Sequence, residues 1–492
     1  MKRISLLLSL LIGSILINAQ VAPDSLFDRS LLIADLDSLR ISILRSHPNP
    51  FAFTTSETFE NAYLTCKNSL NEQTCKKDFL REVSLYLNTL RDSHTSLDYS
   101  QFQSLQLMKQ GYFLPLFLKR INNGASSDNF DLCSAGEWTS EIPKGSKIVS
   151  INGKDIRMLY QESLDFACIE GNSTKAQSTI AVAILPLVTG LNYPFGATNM
   201  VSIENTDGSI QELFVAGYDK KGIKKLRKDH LKKEDGYPKL EIDSTMSLGT
   251  IRVNTFSPTK SGKYAKRIRR AMQQAQGRGL ENLVIDIRGN GGGSSAWVEY
   301  LYSFIDTNGY NTPSNVIGKN SQLAFNRNRL FHRDFVQFFV RLFFRKDEDV
   351  QSYQHISALP FGSQDTIYFH KPTIQKKQYV YTGNCYLLMN GLTASAGVDF
   401  TNAFKTKKRG VVIGEECLGP KTGTWGNPAT YVMRNTGIRL TIATIRYNYD
   451  NTFEYDPNAI QPDYEVSNNR LDIANNEDTQ LKFVKKLIQE KK

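Results

Sequence analysis

Apolar positions follow different periods in different parts of the chain. Leu31, Leu32, Leu36, Leu39 and Ile43 recur at helical spacing. The run ends at His47-Pro48-Asn49-Pro50, because a residue before proline is pushed out of the helical region. A second helical stretch covers Cys75 to Leu90 and closes in the polar cluster Leu90–Leu97, so residues 25–105 read as mainly helical. Between 107 and 220, short apolar runs alternate with Gly and Asn turns, which predicts a small β-rich module. Asn152-Gly153 between apolar runs is a hairpin signal, since both residues tolerate positive φ. The lysine-rich stretch 220–240 reads as a solvated linker. Strand and helix patterns then alternate: strand Leu248–Phe256, helix Lys260–Gln276, strand Leu283–Ile287, buried strand Cys385–Met389, helix Ser395–Lys405, strand Val411–Gly414. That alternation predicts an α/β domain.

The N-terminus sets the expected compartment. Lys2 and Arg3 precede an apolar run from Ile4 to Ile17 and then Asn18-Ala19-Gln20, the layout of a secretory leader cut after Ala19. The run is shorter than the ~20 residues that a span needs, and no Cys follows it for a lipid anchor. The expectation is an exported protein, periplasmic or secreted, of a bacterial kind. Export would permit disulfides among the 6 Cys; Cys66 and Cys75 are the nearest local pair, with two free thiols as the other reading. No C-x-x-C or H-E-x-x-H occurs and the 6 His are scattered, so no metal and no cofactor is expected. With 492 residues, 40% hydrophobic and 22% charged, the composition excludes long disorder, a coiled coil and a multispan membrane protein. A net charge of +11 over this length gives little reason to expect a nucleic-acid partner. The segment 331–346, with Phe331, Phe335, Phe338, Phe339, Phe343 and Phe344 among arginines, suits a cap packed over a groove; surface contact with a membrane is the other reading.

Two strand-to-helix turns hold the candidate chemistry. Asp286-Ile287-Arg288-Gly289-Asn290-Gly291-Gly292-Gly293 brings backbone N–H groups to a helix start, which suits a phosphate, an oxyanion or a merely tight turn. The Walker and G-x-G-x-x-G patterns are not matched. Asn390-Gly391-Leu392-Thr393-Ala394-Ser395-Ala396-Gly397 seats Ser395 among small residues, as an N-cap or as a nucleophile. All six His precede Ser395, whereas an α/β-hydrolase needs its His after the Ser, so that fold is excluded.

In order along the chain come His47-Pro48-Asn49, Leu90–Leu97, the D-x-R-x-N-G-G-G loop, T-A-S-A at 393–396, Gly414-Glu415, Phe453-Glu454-Tyr455 and Ile460-Gln461-Pro462-Asp463. This series resembles the C-terminal processing peptidase and tricorn-core family of serine peptidases. The stretch Lys144–Ile156 resembles the strand–turn–strand of PDZ domains, with Ser146 where an Asp is usual. The resemblance implies an α/β fold with a crotonase-like (ββα superhelix) core at 241–492 and a PDZ-like domain at 106–220. The remaining parts would be an N-terminal helical domain at 20–105, a linker at 221–240 and the leader at 1–19. It implies a tetrad: Ser395 as nucleophile, His94 as base, Ser93 as bridge and Glu454, 59 residues after Ser395, as the carboxylate. The oxyanion hole would be the N–H of Ala396 with that of Gly293, or next Gly292. In the other branch of the family a lysine activates the serine, and here Lys421 in Gly419-Pro420-Lys421 would be that base. The implied substrates are proteins or peptides. The competing function is a noncatalytic peptide- or lipid-binding protein on the same fold.

Overall fold

The computed structural model describes residues 22–108, 111–123, 129–136, 141–233, 238–306, 313–328, 348–368, 379–449 and 455–490. The expected leader, the aromatic segment 331–346 and Glu454 lie outside the described residues.

A six-stranded sheet forms the α/β centre, in spatial order Tyr464–Glu465, Gly410–Gly414, Asn384–Met389, Asn282–Asp286, Leu248–Arg252, Leu240–Asp243. All neighbours are parallel except the Leu240–Asp243 edge strand, which is antiparallel. Its central strands are near-continuous apolar runs because both faces are covered. Leu283, Ile285, Leu387 and Met389 point to one face, under the helices Ser261–Gly277, Ser295–Tyr302 and Ala396–Thr406. Val284, Tyr386 and Leu388 point to the other, where Val484 and Ile488 of the Thr479–Glu490 helix cover them. This period-two division makes three layers.

Beside this centre stands a four-stranded sheet, ordered Gln364–Tyr368, Asn315–Lys319, Ile445–Asn448, Gly423–Gly426, whose described pairings are antiparallel. The N-terminal region is helical as expected: Arg29–Ser46, Ser56–Ser69, Lys76–Asn88 and Ser100–Gln106. The first helix stops at Ser46, just before His47-Pro48.

The middle region holds a five-stranded sheet in the order Leu118–Asn122, Phe130–Ser134, Lys147–Ile151, Thr198–Glu204, Ile210–Ala216. The expected hairpin is present: Ile151 pairs Lys154 across Asn152 and Gly153, at φ 49° and 75°. The region is more helical than the β-rich expectation. It also contains the helices Ile156–Phe166 and Thr174–Asn192. The second is long and apolar enough to cross a membrane, but its Ala176, Ala181, Leu185 and Val188 are packed in the main core. Uniform apolarity without period hid it from the pattern. The basic stretch read as a linker is a helix over Lys220–Lys233, with Ile223 buried. All six cysteines carry free thiols, so the Cys66–Cys75 pair is not formed.

Candidate active site

Both chemistry-bearing turns leave the C-terminal ends of adjacent parallel strands, where open α/β sheets bind ligands. Arg288 fixes the start of the glycine loop. Its guanidinium donates to Asp286 at 2.7 and 2.9 Å and to Asp478 at 2.6 and 2.9 Å. Asn290, buried, donates to the Val253 carbonyl at 2.9 Å, and its own carbonyl accepts the Ala394 N–H at 3.0 Å. The Asn390 side chain accepts the Gly289 N–H at 2.9 Å. The two loops are thereby interlocked.

Ser395 sits at the junction, with φ 52° and ψ −122°, at the start of the Ala396–Thr406 helix. For a residue with a Cβ this is a strained conformation. It turns the chain sharply from strand to helix and leaves the hydroxyl outside both elements. Gly292, at φ 97°, lies directly against it: a Cβ there would come within 2.7 Å of the Ser395 Cβ. Among the described residues neither the Ala396 N–H nor the Gly293 N–H has an acceptor, whereas the Gly292 N–H is taken by Asn290 Oδ1 at 2.9 Å. Of the two glycines, Gly293 has the donor to spare.

A second assembly gathers around His94. The backbone of Leu90–Leu97 is docked on the Arg439–Ile442 strand: Thr441 Oγ1 donates to the His94 carbonyl at 2.8 Å, and the Ala443 N–H donates to Thr95 Oγ1 at 3.0 Å. Ser93 Oγ donates to Glu170 Oε2 at 2.5 Å and stands 3.4 Å from His94 Nδ1. His94 Nδ1 is 3.4 Å from Glu170 and 3.7 Å from Asp92. Asp92 accepts the His94 backbone N–H at 2.8 Å and pairs with His47 Nε2 at 3.0 Å. Glu170 is fully buried, and its Oε1 accepts from Thr424 Oγ1 at 2.9 Å and the Trp425 N–H at 3.3 Å.

Burial disfavours charge on the His94 ring, but hydrogen bonds and attraction from Asp92 and Glu170 outweigh it and push the imidazole up to about 10. Burial likewise favours a neutral Asp92, yet His47 and His94 together hold its carboxyl well below the usual range. Asp92, His94 and Glu170 also offer ligand atoms all within 4.8 Å of one another, so they are the described residues that could hold a cation.

The sequence points to Ser395, Ser93, His94, Ala396 and Gly293; Asp92 and Glu170, which the structure places against the His94 ring, are not among the residues it points to. Asp92 adjoins Ser93-His94 and could have been read with it. Glu170, in Cys168-Ile169-Glu170-Gly171, carries no local signal; only the tertiary pairing of the Gly171 N–H with the Arg91 carbonyl, at 3.0 Å, brings it in. The Ser395 loop and the His94 group are joined through 418–425: Leu418 N–H bonds the Thr393 carbonyl at 2.9 Å, and Thr424 and Trp425 hold Glu170. Lys421, the alternative base, is 59% exposed and ion-paired with Asp456 at 2.6 Å.

The whole chain is similar to solved structures of CPAF. Mature CPAF is 15% identical with a TM-score of 0.57, over 94% of this chain and 96% of that one. A CPAF mutant is 14% identical with a TM-score of 0.60, over 94% and 97%. Mature CPAF complexed with lactacystin is 13% identical at 0.57, over 94% and 98%. At such identity the likeness is one of fold. No curated protein matches the chain in sequence. Residues 247–466, which include both interlocked turns and Ser395, match peptidase family S41, and that match supports a serine peptidase.

Proposed function

We propose that the chain is an exported endopeptidase or tail-directed peptidase whose nucleophile is Ser395. Its middle region would be a PDZ-like module and its α/β centre a crotonase-like core. The observation that carries this reading is Ser395 itself: a strained serine beside two N–H donors without acceptors. The Ser395 hydroxyl would attack a peptide carbonyl while its proton passes to the neutral form of His94, which the neighbouring carboxylates make the minor form below about pH 10. The oxygen then becoming negative would be held by the N–H groups of Ala396 and Gly293. His94 would return the proton to the leaving amine. Ser93 and Glu170 would hold the ring in place and balance its charge, which is triad logic with one link added. For Lys421 to replace His94 it would need to be desolvated, and its exposure and ion pair argue against that role. Proteins or peptides are the substrates this chemistry serves, in the periplasm or outside the cell.

A fluorophosphonate probe, with cleavage of a protein substrate followed in parallel, tests the reading. Labelling and cleavage lost together in Ser395→Ala and reduced in His94→Ala support it. A folded wild-type chain that neither labels nor cleaves would leave the noncatalytic binding function in its place.

A further inference from the structure

The helix Thr174–Asn192 starts directly after the loop that carries Glu170, and it is capped from across the fold. A helix leaves its first N–H groups without partners, and the side chain just before it commonly accepts one of them. Ser173 stands at that place, but its hydroxyl makes no cap bond. It turns back on the loop, donating to the Glu170 carbonyl at 2.5 Å and accepting the Glu170 N–H at 3.3 Å. The cap comes from Glu416, 240 residues beyond Ala176. Glu416 is buried, and its Oε1 accepts the Lys175 N–H at 2.8 Å and the Ala176 N–H at 3.3 Å. Its Oε2 accepts from Gln461 Nε2 at 2.8 Å. The helix dipole favours a carboxylate at this end.

Glu416 belongs to the Ser395 side of the site. It follows the strand Gly410–Gly414, which runs parallel to Asn384–Met389. The Glu415 N–H bonds the Met389 carbonyl at 3.2 Å, and the Leu418 N–H bonds the Thr393 carbonyl at 2.9 Å. The segment 415–418 therefore lies along the strand end and turn that carry Ser395. The capped helix meets that turn directly. A Cβ at Gly391 would stand 2.6 Å from Thr179 Oγ1 and 2.8 Å from the Ala176 Cα, so the approach depends on glycine. At the far end of the loop, Glu170 Oε2 lies 3.4 Å from His94 Nδ1. One side chain thus ties the loop behind His94 to the frame that holds Ser395.

We propose that Glu416 is a positioning residue: by capping the Thr174–Asn192 helix from the Ser395 side, it sets the 170–173 loop, and Glu170 with it, in register with the Ser395 turn. Its effect on rate rests on the serine-peptidase reading; the lock between the two segments does not. Reach decides the outcome. Glutamine keeps an acceptor oxygen at the same distance along the side chain. Aspartate keeps the carboxylate but is one methylene short. Alanine leaves both helix N–H groups without their acceptor.

The test uses the full chain and follows peptide hydrolysis and fluorophosphonate labelling well below the melting point of every variant. Glu416→Ala and Glu416→Asp should lower kcat and the labelling rate about 10- to 100-fold with KM little changed, as a displacement of about 1 Å does. Glu416→Gln should recover most of the parent rate. Asp155→Ala is the control, because Asp155 caps the neighbouring helix Ile156–Phe166 from within, accepting the Arg157 and Met158 N–H groups at 2.8 and 3.2 Å. It should melt lower, as a lost cap does, and keep the parent kcat. Amide exchange, followed residue by residue, reads the lock without turnover. In Glu416→Ala, faster exchange should extend past Lys175 and Ala176 to the Gly171 N–H and to the Trp425 N–H, which bonds Glu170 Oε1 at 3.3 Å. The proposal is overturned by a parent kcat in folded Glu416→Ala or Glu416→Asp, by a loss carried by KM alone, by an equal loss in Glu416→Gln or Asp155→Ala, or by exchange that quickens only at Lys175 and Ala176. A wild-type chain that neither labels nor cleaves refutes the serine-peptidase reading, and the exchange pattern then upholds or overturns the lock by itself. Should Glu416→Ala fail to fold, Glu416→Asp against Glu416→Gln carries both comparisons.

Discussion

Replacing Ser395 by glycine should stabilise the protein while removing its activity. Ser395 holds φ 52° and ψ −122°, a conformation in which an L side chain is strained by about 1–3 kcal/mol. Glycine adopts it freely but costs about 0.5–1 kcal/mol in chain entropy on folding. The Ser395 hydroxyl makes no cap hydrogen bond to the helix that would be lost. The balance favours the glycine variant by up to about 2 kcal/mol. In a domain of 150–250 residues each kcal/mol moves Tm by about 2–4 °C, so an increase of a few degrees is expected. Ser395→Ala keeps the Cβ and therefore the strain, and should melt close to wild type. Calorimetry on the three proteins reads the order directly. A glycine variant that melts below the alanine variant would refute the strain argument and with it the claim that the turn is a constrained seat for the hydroxyl.

Four further outcomes follow from the same geometry. Glu170→Gln removes one of the two carboxylates at His94 while keeping an acceptor for Ser93, so the acid limb of kcat/KM should move down by about 1–3 pH units as the maximal rate falls; an unmoved limb, or an equal shift in Glu454→Gln, would remove Glu170 from the relay. Gly292→Ala places a Cβ 2.7 Å from that of Ser395 and 2.8 Å from the Ala394 carbonyl oxygen; fluorophosphonate labelling should slow about 100-fold or more in a folded protein, and near-normal labelling would show the contact to be soft. Tyr449 donates to buried Asp399 at 2.5 Å in the first turn of the Ser395 helix, so Tyr449→Phe should cost about 1–3 kcal/mol in urea melts, and a neutral result would contradict the buried pair. His94 is raised from 6.5 to about 10 in the fold, so its contribution to stability is complete below about pH 6.5 and lost as pH rises through about 10; urea midpoints should fall between pH 7 and 10, and His94→Gln should flatten that slope.

What could be read from the chain alone was whatever is encoded locally. The parallel strands announce themselves as apolar runs in Asn384–Met389 and Gly410–Gly414, and the glycines and small residues of the two turns are required by backbone conformation at those positions. Ser395, Gly293 and Ala396 were therefore legible as one unit. Glu170 was not, because its role comes from a contact between segments far apart in sequence: the 168–173 loop meets Arg91 and Pro457 through backbone hydrogen bonds. Glu416 was hidden for the same reason, since the helix start that it caps lies 240 residues away at Ala176. The Lys220–Lys233 helix was missed because its charge outweighed its helical propensity in the reading, although lysine is a good helix former.

The two halves of the site are stabilised in different ways, and this bears on how activity is lost. The Ser395 turn and the glycine loop are built on neighbouring strands of one parallel sheet, Asn282–Asp286 and Asn384–Met389, and are tied to each other by Asn290 and Asn390. They should persist as long as that sheet does. The His94 group is assembled from three distant segments: Asp92, Ser93 and His94 near the N-terminus, Glu170 in the middle, and the Thr424–Trp425 and Ile445–Asn448 strands near the C-terminus. Its geometry exists only while the helical N-terminal region is docked on Arg439–Ile442 through Thr441 and Ala443. The charges in it raise the stakes of that docking. Glu170 faces His94 from another segment, and Asp92 is held in part by the distant His47, so undocking separates buried charges from counter-charges and admits water to them. Local opening of this interface would therefore disperse the proposed base, His94, before the turn of the proposed nucleophile, Ser395, is disturbed. Loss of activity ahead of global unfolding is what a site divided in this way dictates.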